Sequence, residues 1–341
     1  MSTSERYHYI RPEVLPWLAD GSLYERADKE ATRYAYAQAI IEVGRQMPEV
    51  VVLDADVSKA VRTFEFAAEF PDREFNFGIA EQNMVAAAAG MATTGLIPFV
   101  TTYAVFVSLR ALDQVRNSIC YPRLNVKIAA SHSGITPAPD GPTHQGQEDL
   151  SIMRTMPNMT VISAADSPTT KMAVHAAARW EGPVYLGFTR DPVPLLFTDD
   201  YPFRIGRAVR VREGADATIV ANRDLVAQAL LAAESLAREG LEVRVLDCHT
   251  VKPLDVEAIL LAAGDTGAIV TAENNVYYGG LGSAVAEVLV EADFPRQVPM
   301  RRVGVRDVFC ESGPYLALID KYGLSARHIA EAVRGVVRRK R

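Results

Sequence analysis

The sequence is short of several features that define whole classes of protein. Its three cysteines, Cys120, Cys248 and Cys310, are odd in number and widely spaced, which fits a reducing compartment and offers no metal-ligand spacing. Its 36 lysines and arginines are outnumbered by 42 aspartates and glutamates, so no basic excess favours nucleic acid. No apolar run reaches the ~18 residues of a membrane helix, and residues 1–9 are too polar for a secretory signal. We therefore expect a soluble cytoplasmic protein that binds neither nucleic acid nor membrane.

The order of the remaining segments predicts strands that alternate with helices. The 341 residues suffice for two domains of ~150 residues each. Apolar runs typical of buried parallel strands alternate with helical segments on both sides of a proline-rich break that starts near residue 191. This pattern predicts an α/β fold with two parallel-sheet domains. We expect a first domain over residues 1–195, including an N-terminal extension to about residue 25, a linker over 196–213 and a second domain over 214–341.

Individual elements follow from the same periodicity. We expect helices over residues 31–47, 81–94, 105–120, 225–238, 256–263 and 325–338, and one that begins near Ser167 as its N-cap with Pro168 at the first position. We expect strands over residues 50–54, 97–101, 125–130, 160–162, 183–188, 218–221, 242–246 and 268–272.

Two segments of the first domain carry side chains that could bind a ligand. Glu81 begins an alanine-rich helix, where the helix dipole favours a carboxylate. The same position suits either a capping carboxylate or a carboxylate held in an apolar pocket. Tyr103 and Phe106 lie three residues apart, so helical backbone would place both rings on one face, as core or as a stacking surface. The residues alone leave both pairs of alternatives open.

A loop rich in proline and glycine follows the strand expected at 125–130. Its prolines prevent a regular helix or strand over residues 133–148. His132, Asp140 and His144 are concentrated here, and the two histidines are among only six in the chain. Because parallel sheets bind ligands beyond the carboxyl ends of their strands, the loop is a candidate site, with bracing of the turn as the structural alternative.

Together these segments resemble the transketolase family. The pyrimidine-binding domain of that family is similar to this chain at FGIAEQN (77–83), TYAVF (102–106), SHSG (131–134), DGPTHQ (140–145) and NMTVISAAD (158–166), and the C-terminal domain at VLDCHTVKPLD (245–255). The resemblance covers about residues 25–340. The spacing from Phe106 to DQVR (113–116) most resembles split transketolases, in which two polypeptides share what is elsewhere one chain. It implies a thiamine-diphosphate-binding fold followed by a transketolase C-terminal domain.

The resemblance implies a role for each matching residue of the site. Glu81 corresponds to the glutamate that hydrogen-bonds to the aminopyrimidine of thiamine diphosphate. Tyr103 and Phe106 correspond to the aromatic residues on which that ring stacks. His132 and His144 correspond to histidines that donate to substrate oxygens.

Four charged residues and one serine complete the implied site. Asp140 corresponds to the aspartate that orients a substrate hydroxyl, and Arg33 and Arg190 to arginines that bind the phosphate of the acceptor. Asp56 and Ser58, at the end of a strand, are further candidates for binding the cofactor and the substrate.

A missing motif points to a second subunit. The family binds the diphosphate and Mg²⁺ through a Gly-Asp-Gly motif followed by an asparagine, and this sequence contains no Gly-Asp-Gly. We therefore expect no metal ligand in this chain, and a separate N-terminal subunit that carries the motif in an α2β2 complex.

The implied activity is the transfer of a two-carbon glycolaldehyde unit from a ketose to an aldose, with sugars or sugar phosphates as substrates. Alternatives are a β-subunit of a 2-oxoacid dehydrogenase, a carboligase similar to 1-deoxyxylulose-phosphate synthase, and a non-catalytic scaffold subunit. The sequence departs from the family at Pro137-Ala-Pro139 and at Asn222-Arg223, which replaces a small turn. These departures leave the substrates open.

Overall fold

The computed structural model describes residues 6–340, and its strands form two large sheets and one short antiparallel ladder. The strands are β1 (Lys29–Glu30), β2 (Val50–Asp54), β3 (Glu74–Asn76), β4 (Ile97–Tyr103), β5 (Lys127–Ser131), β6 (Thr160–Ile162), β7 (Val184–Gly187), β8 (Val193–Pro194), β9 (Val209–Arg212), β10 (Ala217–Ala221), β11 (Val243–Asp247), β12 (Thr250–Lys252), β13 (Ile269–Val276) and β14 (Met300–Val305). β1 and β8 form the short ladder.

Helices connect most of these strands. The α-helices are Leu15–Asp20, Leu23–Arg26, Thr32–Gln46, Ser58–Val61, Phe64–Glu69, Glu81–Ala92, Leu112–Gln114, Asp149–Thr155, Ser167–Arg179, Leu225–Ala237, Val256–Thr266, Leu281–Glu291, Tyr315–Lys321 and Ala326–Arg339. Tighter 3-10 turns lie at Pro12–Val14, Pro71–Arg73 and Ala138–Asp140, and wider π-helical turns at Phe106–Arg110 and Val115–Cys120. Within residues 6–340, no helix has the length and apolar character needed to span a bilayer.

The first large sheet has seven strands in the order β12-β6-β7-β5-β4-β2-β3, and all but β12 run parallel. All five residues of β2 are buried, as expected for a strand covered on both faces. The helices Thr32–Gln46 and Ser167–Arg179 pack on one face, and Glu81–Ala92 and Asp149–Thr155 on the other. Because β2, β4 and β5 are adjacent and parallel, their carboxyl ends lie side by side at the same end of the sheet.

The second large sheet has five strands in the order β14-β13-β10-β11-β9, parallel except for β9. Helices Leu225–Ala237 and Ala326–Arg339 cover one face, and Val256–Thr266 and Leu281–Glu291 cover the other. The predicted α/β class with two mainly parallel sheets is thus confirmed. The antiparallel strands at the edge of each sheet were not expected.

Three elements differ from the predicted division into two halves. β9 lies inside the segment that was expected to be a linker. Its Val209 and Val211 alternate with arginines and are buried, so this part of the linker forms an edge strand of the second sheet. β12, from the second half, completes the first sheet by pairing with β6. The N-terminal helix Leu15–Asp20 packs in the core of the second domain, not of the first. The domain limits stay a prediction.

One helix cap differs from the prediction. Asp166, not Ser167, is the N-cap of the helix Ser167–Arg179. Its carboxylate accepts the backbone N–H of Thr169 at 3.1 Å. The same carboxylate also accepts the N–H groups of Leu196 and Phe197 at 2.8 and 2.9 Å. These additional bonds explain why Asp166, and not Ser167, caps the helix. A serine hydroxyl has one oxygen and could not serve all three donors.

Candidate active site

A column of stacked side chains begins at the carboxyl ends of β4 and β5. Tyr103 ends β4 and lies opposite Ser131, the last residue of β5, so His132 follows directly beside it. The His132 ring stacks on Tyr103 at 3.8 Å between ring centroids. Tyr103 stacks in turn on Phe106 at 5.3 Å, with the ring planes 14° apart. The two rings stack as the spacing suggested, but the helical backbone assumed for both was wrong, because Tyr103 ends a strand and only Phe106 begins a helical turn.

Glu81 lies at the other end of this column. It begins the helix Glu81–Ala92, and only 1% of its side chain is exposed. Nη1 of Arg110 donates to both carboxylate oxygens, at 3.0 and 2.9 Å. The guanidinium carbon of Arg110 lies 4.6 Å from the centroid of the Phe106 ring. The site residue that sequence reasoning missed is therefore Arg110.

His144 joins the column from the side. Its ring meets Tyr103 and Phe106 edge-on, at 5.9 and 5.6 Å between centroids. Its Nδ1 lies 2.9 Å from the hydroxyl of Thr143, which orients the ring. The structure thus brings together five of the sequence-predicted residues: Glu81, Tyr103, Phe106, His132 and His144.

His132 is held as a neutral imidazole. Burial, and then the charges of Arg33, Arg190 and His144, lower the pKa of His132 to about 2. Its backbone has a φ of 68°, in the left-handed region, and its Nδ1 lies 3.0 Å from the Ser131 hydroxyl. A neutral ring at this place can exchange hydrogen bonds with a substrate oxygen but carries no charge at neutral pH.

Charged residues surround the same column. Nε of Arg190 lies 3.4 Å from the carboxylate of Asp140, and its Nη1 bonds to Asp191 at 2.9 Å. Burial, and then the charge of Asp140, raise the pKa of Tyr103. Arg33 is anchored by a hydrogen bond from its Nη1 to the carbonyl of Ala60 at 2.7 Å. Arg33 and Arg190 act on His132, and Asp140 acts on Tyr103, so these three charges lie near the column; their roles in binding stay predictions.

The two remaining candidates lie on the turn after β2. Asp54 ends that strand, and its buried carboxylate accepts the N–H of Val57 at 2.9 Å and the hydroxyl of Thr63 at 3.1 Å. Ser58 begins the short helix whose Ala60 carbonyl holds Arg33. Asp56 is exposed, with a φ of 61°. Roles for Ser58 and Asp56 in binding stay predictions.

The second domain fixes the loop that carries the histidines. Arg223 is 1% exposed, and its Nη2 lies 3.3 Å from the carboxylate of Asp149, which ends the loop. Its Nε donates to the Ser163 hydroxyl at 2.7 Å and its Nη1 to the Asn274 carbonyl at 3.0 Å. A Cβ on Gly134 would lie 2.5 Å from the Asn274 carbonyl oxygen, so this close approach requires glycine. The departure at Asn222-Arg223 thus has a structural role that the sequence did not reveal.

The chain matches two family models: the pyrimidine-binding domain of transketolase over residues 28–194 and the transketolase C-terminal domain over residues 206–329. It is 44% identical to the 6-deoxy-6-sulfo-D-fructose transketolase subunit SqwH of Clostridium sp. (strain MSTE9), over 90% of this chain and 95% of that protein. It is 41% identical to a putative transketolase C-terminal section of Methanocaldococcus jannaschii, over 88% of this chain and 94% of that protein.

A solved structure is similar over almost its whole length. The structure described as "split gene transketolase, inactive beta4 tetramer" is 50% identical, with a TM-score of 0.85, and the match covers 91% of this chain and 99% of that one. The relatives are thus similar in length as well as in sequence. The chain belongs to the transketolase family, as a counterpart of the C-terminal subunit of its split members.

Proposed function

We propose that this chain, together with a separate N-terminal subunit, transfers a two-carbon ketol unit from a ketose to an aldose with thiamine diphosphate as cofactor. The observation that carries the proposal is the buried carboxylate of Glu81 at the end of the aromatic column formed by Phe106 and Tyr103. A capping residue alone would need neither the burial nor the aromatic surface beside it.

The donor set fits the aminopyrimidine of the cofactor. Glu81 offers a carboxylate to a ring nitrogen, and Phe106 offers a face for stacking, worth about 1 kcal/mol beyond its buried area. When bound, thiamine diphosphate supplies the nucleophile and the electron sink for making and breaking a carbon–carbon bond beside a carbonyl. The chain's own part is to bind and orient the pyrimidine, and to hold a proton between Glu81 and the ring nitrogen in a dry pocket.

The polar residues around the column suit a sugar. Neutral His132 and the nearby His144 can hydrogen-bond to carbonyl and hydroxyl oxygens, and Asp140 can accept from a hydroxyl. Arg33 and Arg190 offer planar guanidinium groups for an anionic end of the substrate, such as a phosphate. Burial of His132 keeps it uncharged, so in this proposal an anionic end of the substrate is bound by Arg33 and Arg190 and not by this histidine.

The Mg²⁺ and the diphosphate belong, in this proposal, to the partner subunit. The sequence has no Gly-Asp-Gly, and residues 6–340 contain no group of three or more histidine, cysteine, aspartate or glutamate side chains placed to hold a metal. We propose an α2β2 complex in which this chain alone is inactive. Two relatives are described as a transketolase subunit and a C-terminal section, which supports a second chain.

The test is to purify the chain alone and with a partner of about 250–300 residues that bears Gly-Asp-Gly. Both samples are offered phosphorylated and unphosphorylated ketose donors with aldose acceptors, and products are identified by mass spectrometry. We expect ketol transfer only by the mixed sample with thiamine diphosphate and Mg²⁺. Sedimentation would show whether two copies of each chain assemble.

Three outcomes would contradict the proposal. Turnover of pyruvate in place of a ketose would indicate a 1-deoxyxylulose-phosphate-synthase-like carboligase. Acyl transfer to a lipoyl group would indicate a β-subunit of a 2-oxoacid dehydrogenase. Tight cofactor binding and turnover by the chain alone would rule out the split site.

A further inference from the structure

Arg110 stands where the cofactor is expected to bind. Its guanidinium lies over the Phe106 ring, 4.6 Å from the centroid, and its Nη1 donates to both oxygens of Glu81. Stacking on Phe106 and pairing with Glu81 are the two contacts proposed for the aminopyrimidine. One side chain of this protein therefore makes both contacts that define the cofactor pocket.

The local backbone puts Arg110 in that place. Residues Phe106–Arg110 form a π-helical turn, in which the N–H of Ala111 bonds to the Phe106 carbonyl five residues earlier. Residues four apart share a face in such a turn, as they do in an α-helix. Arg110 therefore lies over the ring of Phe106.

The two partners of this ion pair differ in how far they are exposed to solvent. Glu81 is 1% exposed and Arg110 is 49% exposed. A buried carboxylate needs a partner, whereas a half-exposed guanidinium can return to water at small cost. The contact is also made by one nitrogen shared between two oxygens, and not by the parallel two-nitrogen arrangement that makes arginine–carboxylate pairs strong. Such a partner can be exchanged for another.

We propose that Arg110 is a gate on the cofactor pocket: its guanidinium closes the pocket by occupying Glu81 and the face of Phe106, and the aminopyrimidine must displace it. This inference rests on the proposed function. The gate satisfies the buried carboxylate while the subunit is without its partner and cofactor. It also lowers the apparent affinity for the cofactor, because only the open fraction of molecules can bind.

The experiment measures cofactor affinity in the assembled two-subunit complex by isothermal titration calorimetry with thiamine diphosphate and Mg²⁺. Arg110→Gln removes the cation, and we expect it to lower the dissociation constant about tenfold if the gate is closed in about nine molecules of ten. Arg110→Lys keeps the charge without the planar group and should give an intermediate value. Arg116→Gln is the matched control, because Arg116 is exposed and bonds to its neighbour Asn117. It should leave the affinity unchanged.

Ionic strength gives a second readout that a purely structural role would not move. The screening length shortens from about 10 Å at about 0.1 M salt to about 3 Å at about 1 M. We expect the dissociation constants of Arg110→Gln and of the parent to approach each other over that range, while the ratio of the dissociation constants of Arg116→Gln and the parent stays constant. If the ratio of the dissociation constants of Arg110→Gln and the parent does not change with salt, an ionic gate is contradicted.

The outcomes separate the gate from the proposed function. If the parent complex binds the cofactor and Arg110→Gln binds it equally well or more weakly, the gate is overturned, and weaker binding would make Arg110 a positioning residue for Glu81. If the parent complex and every variant fail to bind, both the proposed function and the gate are overturned.

Discussion

Two arginine–carboxylate pairs near the loop over residues 133–148 satisfy a buried carboxylate in different ways. Glu81 and Asp149 are 1% and 0% exposed, so each needs a partner. Asp149 has Arg223, which is itself buried and whose other nitrogens bond to the protein. Glu81 has Arg110, which remains half in water. The comparison distinguishes a pair that fixes the loop from a pair that can be exchanged for a ligand.

A third buried carboxylate has no arginine and keeps a proton instead. Asp247, at the end of β11, accepts the Tyr201 hydroxyl at 2.8 Å. Burial, and then the charge of Asp166, raise the pKa of Asp247 to about 8. The two carboxylates paired with arginine thus lie beside the proposed substrate site, and the carboxyl group with the raised pKa lies on a strand of the second sheet.

The largest effect is expected from Glu81→Gln in the assembled enzyme. The amide cannot hold the proton shared with the cofactor ring, and general acid–base groups of this kind contribute about 10²- to 10⁴-fold. We expect kcat to fall within that range at saturating cofactor, while the thermal stability of the lone chain changes little, because Arg110 returns to water. Glu291→Gln, at the end of a helix in the second domain, is the control. Full activity in Glu81→Gln would favour a scaffold subunit.

Arg223→Met tests the other pair. It keeps much of the aliphatic length but leaves Asp149 buried without its cation, which typically costs about 3–5 kcal/mol. We expect that loss in the free energy of unfolding of the lone chain, measured by urea titration. Arg110→Met should cost less, because water can enter the half-exposed position of that guanidinium and hydrogen-bond to Glu81, whereas Arg223 and Asp149 are both enclosed. Equal losses in the two variants would mean that the pairs do not differ as proposed.

Much of this arrangement could be predicted from the sequence. Uninterrupted apolar runs such as Val50–Asp54 set the parallel strands, and the proline-rich segment at 133–148 could only be a loop. The position of Glu81 in the first turn of its helix followed from the apolar residues after it. These features depend on local sequence, so local reasoning was sufficient.

The remainder depends on contacts between distant segments. Thr250–Lys252 is too short to signal a strand, and it pairs with the first sheet only because the second domain packs there. Arg110 lies four residues after Phe106, which was a signal for a shared face. Arg110 pairs with Glu81 because the helix Glu81–Ala92 packs against the π-helical turn. The spacing of residues within either segment does not reveal this packing.

The third carboxylate predicts a pH dependence. The pKa of Asp247 is about 8 in the folded chain and about 3.9 when unfolded. The folded state thus binds the extra proton, and this contribution to stability is full below about pH 4 and is lost as pH rises to about 8. Asp247→Asn removes it. We expect the stability of Asp247→Asn relative to the parent to increase by about 1.4 kcal/mol per pH unit between these limits, in urea titrations. A constant difference would show that Asp247 is ionised.

The smallest effect is expected from Tyr103→Leu, on the exchangeable side of the comparison. Leucine keeps an apolar contact with Phe106. If Tyr103 also stacks on the aminopyrimidine, as the resemblance implies, the variant loses that contact, which is worth about 1 kcal/mol or about a fivefold weaker affinity for the cofactor. Calorimetry of the assembled complex would measure it, with Tyr121→Leu, 85% exposed, as the control. Because Tyr103 also supports His132, we expect the KM for the sugar to rise as well. An unchanged affinity in Tyr103→Leu would confine the cofactor surface to Phe106 and Glu81.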